Sequence, residues 1–309
     1  MADHHFSGFI YALSGATLFS LKPVLIKLAY AHGIDTVTLM TLRMMIALPF
    51  YVAVGLWVFL RRQHSTIDFK NNIVPTMLIG VLGYYLASYF DLLGLTLITA
   101  QLERLILFTY PTMVVVLGAV FFHQPVSNKI WVALLLTYTG VASIVAHDMS
   151  SLGSKVINGA ALVLVSALCF SLFMLLSKVQ ILQIGSRLYT SIAMSAASIA
   201  IISHFSLTQS FDQLIVSNDV LLIVFGIAFI STVLPSFLIS AAISSIGPGQ
   251  TSLIGSVGPM FTAMLAVIVL GEEFTRYHAL GMALVLAGVA QLRSKGKHSK
   301  VPHLTTNKK

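Results

Sequence analysis

The chain has 309 residues, of which 57% are hydrophobic and only 9% carry a charge. A soluble domain carries charge on roughly a quarter of its residues, so this composition excludes an ordinary soluble protein and predicts one embedded in a bilayer. The formal net charge of +8 does not indicate nucleic acid, because the cations cluster between apolar runs and in the tail Arg293–Lys309, as the positive-inside rule requires.

Ten apolar runs follow one another, each close to the ~20 residues that a spanning helix requires. They cover approximately residues 6–29, 36–60, 73–95, 99–122, 129–146, 158–177, 188–206, 219–243, 249–270 and 277–292. Helices are expected because every backbone polar group in lipid must be satisfied within its own segment. The predicted fold class is an all-α integral membrane protein with ten transmembrane helices.

The loop charges predict the orientation. An even number of spans places both termini on one side. The loops of that side carry the basic residues Arg61, Arg62, Lys70, Lys129, Lys178 and Arg187. The opposite side carries Asp35, Asp148, Asp212, Asp219, Glu272 and Glu273, with Lys155 and Arg276 as its clear cations. We therefore expect a multi-pass protein of the cell inner (cytoplasmic) membrane with both termini cytoplasmic.

The chain also repeats itself weakly. Sliding it by 151 residues places the segment that begins at Gly8 over the one that begins at Gly159, with eight matches in 22 positions. A slide of 148 places Pro111 on Pro259. Five spans per unit is an odd number, so the second unit would be inverted in the membrane, as in many secondary transporters. The predicted units are 1–150 and 151–293, followed by a basic cytoplasmic tail, 294–309.

Three sequence segments carry a family resemblance. FSLKPVLIK and ERLILFTYPTMVV, together with GPMFTAMLAVIVLGEEF in the second unit, resemble EamA-type members of the drug/metabolite transporter superfamily. The resemblance covers nearly the whole chain. It implies ten helices, cytoplasmic termini and movement of small metabolites, often outward. The first unit departs from the pattern at Gln124-Pro125, where the family commonly has a Glu.

Charged residues inside the spans are concentrated in the first unit. They are Lys22, Lys27, Arg43, Asp91, Glu103 and Arg104. A charge at bilayer depth costs about 2.5–3.5 kcal/mol, so each should face a partner or a watery cavity. The hairpin around residues 97–98 predicts that Asp91 meets Arg104, and Glu103 would then pair with Lys22 or Arg43. Without Lys27, three cations face two acids, which favours an anionic group on the substrate.

Structural explanations compete with each of these interpretations. Lys27 and Lys178 near span ends fit snorkelling anchors, and an Asp91–Arg104 pair would also serve as a purely structural clasp. Pro111 and Pro259 are expected to bend helices. In a separate cluster, Tyr84, Tyr85 and Tyr89 fit either a cavity lining or an aromatic belt.

Enzymatic interpretations find no support in the sequence. It contains no GxxxxGK[ST] phosphate loop, HExxH motif, paired cysteines or GxSxG elbow. His147-Asp148 is adjacent in sequence but has no nucleophile at useful spacing. We therefore predict a non-enzyme with neither cofactor nor metal.

The sequence thus predicts a secondary transporter of small metabolites, such as amino acids or related organic solutes. We expect it to export by alternating access and to be proton-coupled, with Glu103 or Asp91 as the titrating group. The substrate-binding or coupling candidates are Lys22, Arg43, Tyr84, Asp91, Glu103 and Arg104. Expected partners are a small-molecule substrate, lipid and protons, and a homodimer is left open. A passive facilitator, a lipid-linked-sugar flippase and a non-transport membrane protein are the alternatives.

Overall fold

The computed structural model describes residues 2–61, 68–122 and 128–292, and these residues are helical, without strands. The α-helices are α1 Ala2–Ser20, α2 Lys22–Ala31, α3 Thr36–Arg61, α4 Val74–Gly80, α5 Ala87–Leu95, α6 Ala100–Leu107, α7 Tyr110–Phe122, α8 Lys129–Leu152, α9 Lys155–Ile184, α10 Ser186–Thr208, α11 Asn218–Ala228, α12 Leu234–Ile254, α13 Gly258–Leu270 and α14 Arg276–Gln291. Predictions about Arg62, about Gln124-Pro125 and about the tail from Arg293 lie outside the described residues.

Among the described residues, eight helical segments are long and apolar enough to cross a membrane. The last of them, Asn218–Leu270, has 53 residues, more than twice the ~20 needed for one crossing. It contains two predicted spans, and the chain turns between them at Gly247, whose φ of 81° lies in the left-handed region. The helix α14 has 16 residues, slightly fewer than a typical span. These features make the chain an all-helical, multi-pass membrane protein.

Several predicted spans are interrupted helices in the structure. The first breaks at Leu21, between α1 and α2, and the fourth breaks between Leu107 and Tyr110. Proline explains part of this, because it lacks an amide proton and is tolerated in a first helical turn. Pro23 and Pro111 are the second residues of α2 and α7, and Pro259 is the second residue of α13.

Two π-helical segments interrupt further helices at related positions. Val81–Leu86 joins α4 to α5, and Phe229–Val233 joins α11 to α12. Their first residues are 148 positions apart, which is the offset that places Pro111 on Pro259. π-Helical turns are rare and occur frequently at functional sites.

Helices from residues 1–150 pack mainly against helices from residues 151–293. The pairs α1 with α12, α3 with α10, α5 with α9 and α8 with α14 are all of this kind. Glycines permit the closest approaches: a Cβ at Gly80 would overlap the backbone of Ala193, and one at Gly140 would lie 2.7 Å from the carbonyl oxygen of Gly281. Small residues at helix contacts are the usual means of close packing in membranes.

Candidate functional site

A central cavity lies where the interruptions of the first and fourth spans meet the π-segment Val81–Leu86. Its volume is about 60 Å³, which is room for only a few water molecules. Its polar lining consists of Lys22, Ser88, Asp91, Arg104, Ser166 and Thr251, and its aromatic lining of Phe19, Tyr84, Phe108, Tyr110 and Phe170. Four of the six predicted binding or coupling residues therefore line one cavity. Arg43 and Glu103 do not line it.

The buried ion pair of this cavity joins Lys22 to Asp91, with Nζ 2.7 Å from Oδ2. The prediction that Asp91 pairs with Arg104 is therefore wrong, because the ion-pair partner of Asp91 is Lys22. The physical reason is the break at Leu21, which makes Lys22 the first residue of α2 and directs it toward α5. Arg104 still lies close enough to Asp91 to interact with its charge.

Glu103 is buried, and its carboxyl lies close enough to the Asp91 carboxyl for their charges to interact. It does not form the predicted ion pair with Lys22 or Arg43, although the Lys22 and Arg104 charges are nearby. Two neighbouring carboxylates repel each other when both are ionised, whereas a proton on one of them allows a hydrogen bond to the other.

Arg43 is a buried cation of α3, with only 1% of its surface exposed. Its Nε and Nη2 atoms make no hydrogen bond with any residue that the structure describes. Tyr51, Asp91 and Tyr30 lie close enough to interact with its charge. A guanidinium without a hydrogen-bonded carboxylate adds positive potential to the cluster from behind the cavity wall.

Arg104 and Lys22 both approach the ring of Phe19, each with its charged group 5.8 Å from the ring centroid. This distance is within the range of a cation–π contact. Gly258 makes room for Arg104, because a Cβ there would lie 3.3 Å from its Nη2 atom. Residues of the second unit thus shape the pocket around the cations of the first.

The three tyrosines of the third predicted span divide between two environments. Tyr84 lies within the π-helical segment, lines the cavity and contacts the edge of Phe173 at 4.9 Å between ring centroids. Tyr85 hydrogen-bonds His204 at 3.1 Å, and Tyr89 packs against the same imidazole. Only Tyr84 is therefore placed at the candidate site.

Two further contacts join distant parts of the chain, and sequence spacing gave no sign of them. The carboxylate of Glu272 accepts hydrogen bonds from the backbone amides of Ala100 (2.7 Å) and Gln101 (3.1 Å). It thereby caps α6, where a negative charge is favourable. Lys27, predicted to be a snorkelling anchor, is half-buried and interacts with the charges of Glu272 and Glu103.

The second unexpected contact joins the end of α8 to the start of α14. His147, Asp148 and His278 place ligand-type atoms within 4.8 Å of one another. No sequence motif spans this group, because His278 lies more than a hundred residues along the chain from the other two residues.

Comparison with known proteins finds one transporter family and two relatives that are named as transporters. The family model described as the EamA-like transporter family matches residues 6–146 and again residues 157–293. The uncharacterized transporter YcbK of Bacillus subtilis (strain 168) is 24% identical over 279 residues, which are 89% of each chain. The uncharacterized transporter YetK of the same organism is 23% identical over 227 residues, covering 71% of this chain and 68% of YetK.

A solved structure, described only as the crystal structure of a protein, is similar with a TM-score of 0.65 at 15% identity. The similarity covers 92% of this chain and 96% of the other. At this identity the comparison establishes a common fold.

Proposed function

Since this chain belongs to the EamA-like transporter family, we propose that it is a proton-coupled secondary transporter that exports small metabolites such as amino acids or related organic solutes. It works by alternating access, in the cell inner membrane, with both termini in the cytoplasm. The observation that carries the proposal is the central cavity, which is lined by the buried Lys22–Asp91 ion pair and has a second buried carboxyl, that of Glu103, beside it.

Alternating access is supported by the internal similarity of the chain. The family model matches twice, and the two π-segments stand 148 positions apart. We infer ten crossings in two inverted units of five, counting Asn218–Leu270 as two and including α14. A cavity of about 60 Å³ is smaller than the roughly 300 Å³ of a small-molecule pocket, so the helices must part for substrate to enter.

Proton coupling is assigned to the Asp91–Glu103 pair. Glu103→Gln removes the second titratable carboxyl but keeps the side-chain shape, so binding persists while the link to the proton gradient is lost. We expect gradient-driven accumulation in proteoliposomes to fall by about ten-fold or more, within the range of coupling free energies between linked sites. The readout is uptake of a labelled amino-acid and organic-acid pool, measured with and without a pH gradient.

The matched control for this experiment is Glu273→Gln, which changes an acid in the exposed loop before α14. Full gradient-driven uptake by Glu103→Gln would exclude Glu103 as the coupling group. Wild-type uptake that is indifferent to the gradient would indicate a passive facilitator or a flippase. No uptake of any pool member would favour the non-transport alternative.

An anionic group on the substrate is expected to balance the cluster, in which three cations face two acids. Lys22 and Arg104 line the cavity and can contact that group, whereas Arg43 contributes its charge from behind. Arg43→Met keeps much of the side-chain volume and removes the charge without separating the Lys22–Asp91 pair. We expect the binding free energy for an anionic substrate to weaken by about 2 kcal/mol, which raises Kd roughly thirty-fold.

This prediction is checked by equilibrium binding of the anionic substrate that the uptake assay identifies. Arg187→Ala, a change of an exposed arginine at the start of α10, should leave Kd unchanged. An unchanged Kd for a folded Arg43→Met protein would remove Arg43 from substrate recognition.

A further inference from the structure

We propose that His147, Asp148 and His278 form a binding site for a divalent transition-metal ion of the Zn²⁺ type. The site lies where the end of α8 meets the start of α14. It is separate from the central cavity, whose lining includes none of the three residues. Two imidazoles and one carboxylate are a donor set suited to Zn²⁺ and neighbouring first-row ions.

The three side chains are already close to a ligating arrangement. Their ligand atoms all lie within 4.8 Å of one another, and His278 Nε2 is 3.5 Å from Asp148 Oδ1. Ligands of a tetrahedral zinc ion at bond lengths near 2.1 Å are about 3.4 Å apart. The His278–Asp148 separation already fits that value, and the separations that involve His147 are at most 4.8 Å.

His278 provides an independent indication of a ligand. Only 6% of its surface is exposed, and its Nε2 atom approaches Asp148 Oδ1 at 3.5 Å without making a hydrogen bond to it or to any other residue of the described ranges. A buried polar atom without a hydrogen bond is costly. A metal ion at this point would satisfy it.

Neighbouring residues hold both imidazoles in position. The hydroxyl of Thr275 lies 2.8 Å from His278 Nδ1, and the backbone amide of Thr275 lies 3.4 Å from the same nitrogen. Ligation through Nε2 uses the tautomer in which Nδ1–H donates to the hydroxyl, so the longer contact with the amide is given up when the ion binds. The ring of His147 stacks on Tyr277, with centroids 4.5 Å apart and planes 20° from parallel. Such support from neighbouring groups is characteristic of metal sites.

A bound ion would join the last helices of the two family repeats. The first repeat match ends within α8, at residue 146, and the second ends at residue 293, just after α14. The close packing of these two helices continues at Gly140 and Gly281. The ion therefore acts as a cross-link at one end of this helix pair. In the proposed topology that end faces away from the cytoplasm, where the ion can enter without crossing the membrane.

The test uses the full-length protein in detergent, from which a chelator has first removed bound metal. Zn²⁺ is then titrated into the protein, and binding is measured by isothermal calorimetry. We expect wild type to bind one ion at this site. Asp148→Asn preserves shape and His278→Ala removes a ligand. Each should weaken binding by about 100-fold or more, since even loss of a supporting hydrogen bond costs ten- to hundred-fold. Co²⁺ substitution should give absorption bands that both variants lose.

His204→Ala is the matched control, because this histidine of α10 hydrogen-bonds Tyr85 and lies outside the group. It should bind Zn²⁺ as wild type does. Thermal unfolding without metal verifies that each variant is folded, and Asp148→Asn decides the matter if His278→Ala does not fold. Absence of Zn²⁺ binding by wild type, or equal affinity of wild type and folded Asp148→Asn, would overturn the proposal.

Discussion

Asp91→Asn is expected to abolish transport and to destabilise the protein by about 3–5 kcal/mol, the usual effect of removing one partner of a buried ion pair. The Lys22 ammonium, 2.7 Å from Asp91 Oδ2, would remain buried without its carboxylate. Thermal or denaturant unfolding in detergent measures the loss of stability, and proteoliposome uptake measures the loss of transport.

A second substitution separates a functional role from a structural clasp. Adding Lys22→Met to Asp91→Asn removes the orphaned charge, so stability should recover while transport stays absent. Asp35→Asn is the control, because the Asp35 carboxylate caps α3 through the amides of Val37 and Thr38 and asparagine caps equally well. Recovery of transport in the double variant would show that the Lys22–Asp91 pair has only a structural role. An Asp91→Asn protein with unchanged stability and transport would contradict both the structural and the transport role.

Gly80→Ala should produce the second large effect, a loss of folded protein. A Cβ at Gly80 would overlap the backbone of Ala193. Because a change of side-chain rotamer cannot relieve an overlap with main chain, α4 and α10 would have to move apart. Overpacking of a rigid contact costs typically 1–3 kcal/mol and occasionally more, and here the obstacle is main chain. We expect a lower unfolding temperature and a smaller yield of monodisperse protein on size-exclusion chromatography.

Gly226→Ala provides the comparison within the same chain. Gly226 is also helical, but a Cβ there would meet nothing within 4 Å. Alanine is favoured over glycine in helices by about 0.5–1 kcal/mol, so this variant should be as stable as wild type or slightly more stable. Equal unfolding temperatures for the Gly80 and Gly226 variants would show that the α4–α10 contact tolerates separation.

The sequence predicted the location of the polar centre because of a single physical constraint. Charges inside apolar spans must face a partner or a cavity, so Lys22, Asp91, Glu103 and Arg104 were expected to lie together, and the structure brings them together. Their pairing was not predictable, since it depends on the break at Leu21. A helix that continued through this point would have directed Lys22 elsewhere.

Contacts between the two halves of the chain escaped sequence reasoning altogether. Glu272 caps α6 from across the molecule, and His278 reaches His147 and Asp148 from a helix more than a hundred residues away. Neither relation has a spacing that a motif can express, because both depend on how α13 and α14 pack against α6 and α8. The π-segments were equally hidden, since a π-turn leaves no regular hydrophobic period.

The excess positive charge of the buried cluster has an electrical consequence. An elementary charge that crosses the full membrane voltage changes in energy by about 2.3 kcal/mol per 100 mV. If the cluster changes its exposure during transport as proposed, the empty carrier is drawn toward the negative side of the membrane. One bound anionic group cancels that pull. Membrane voltage would then act on the return of the empty carrier and leave the loaded step nearly unaffected.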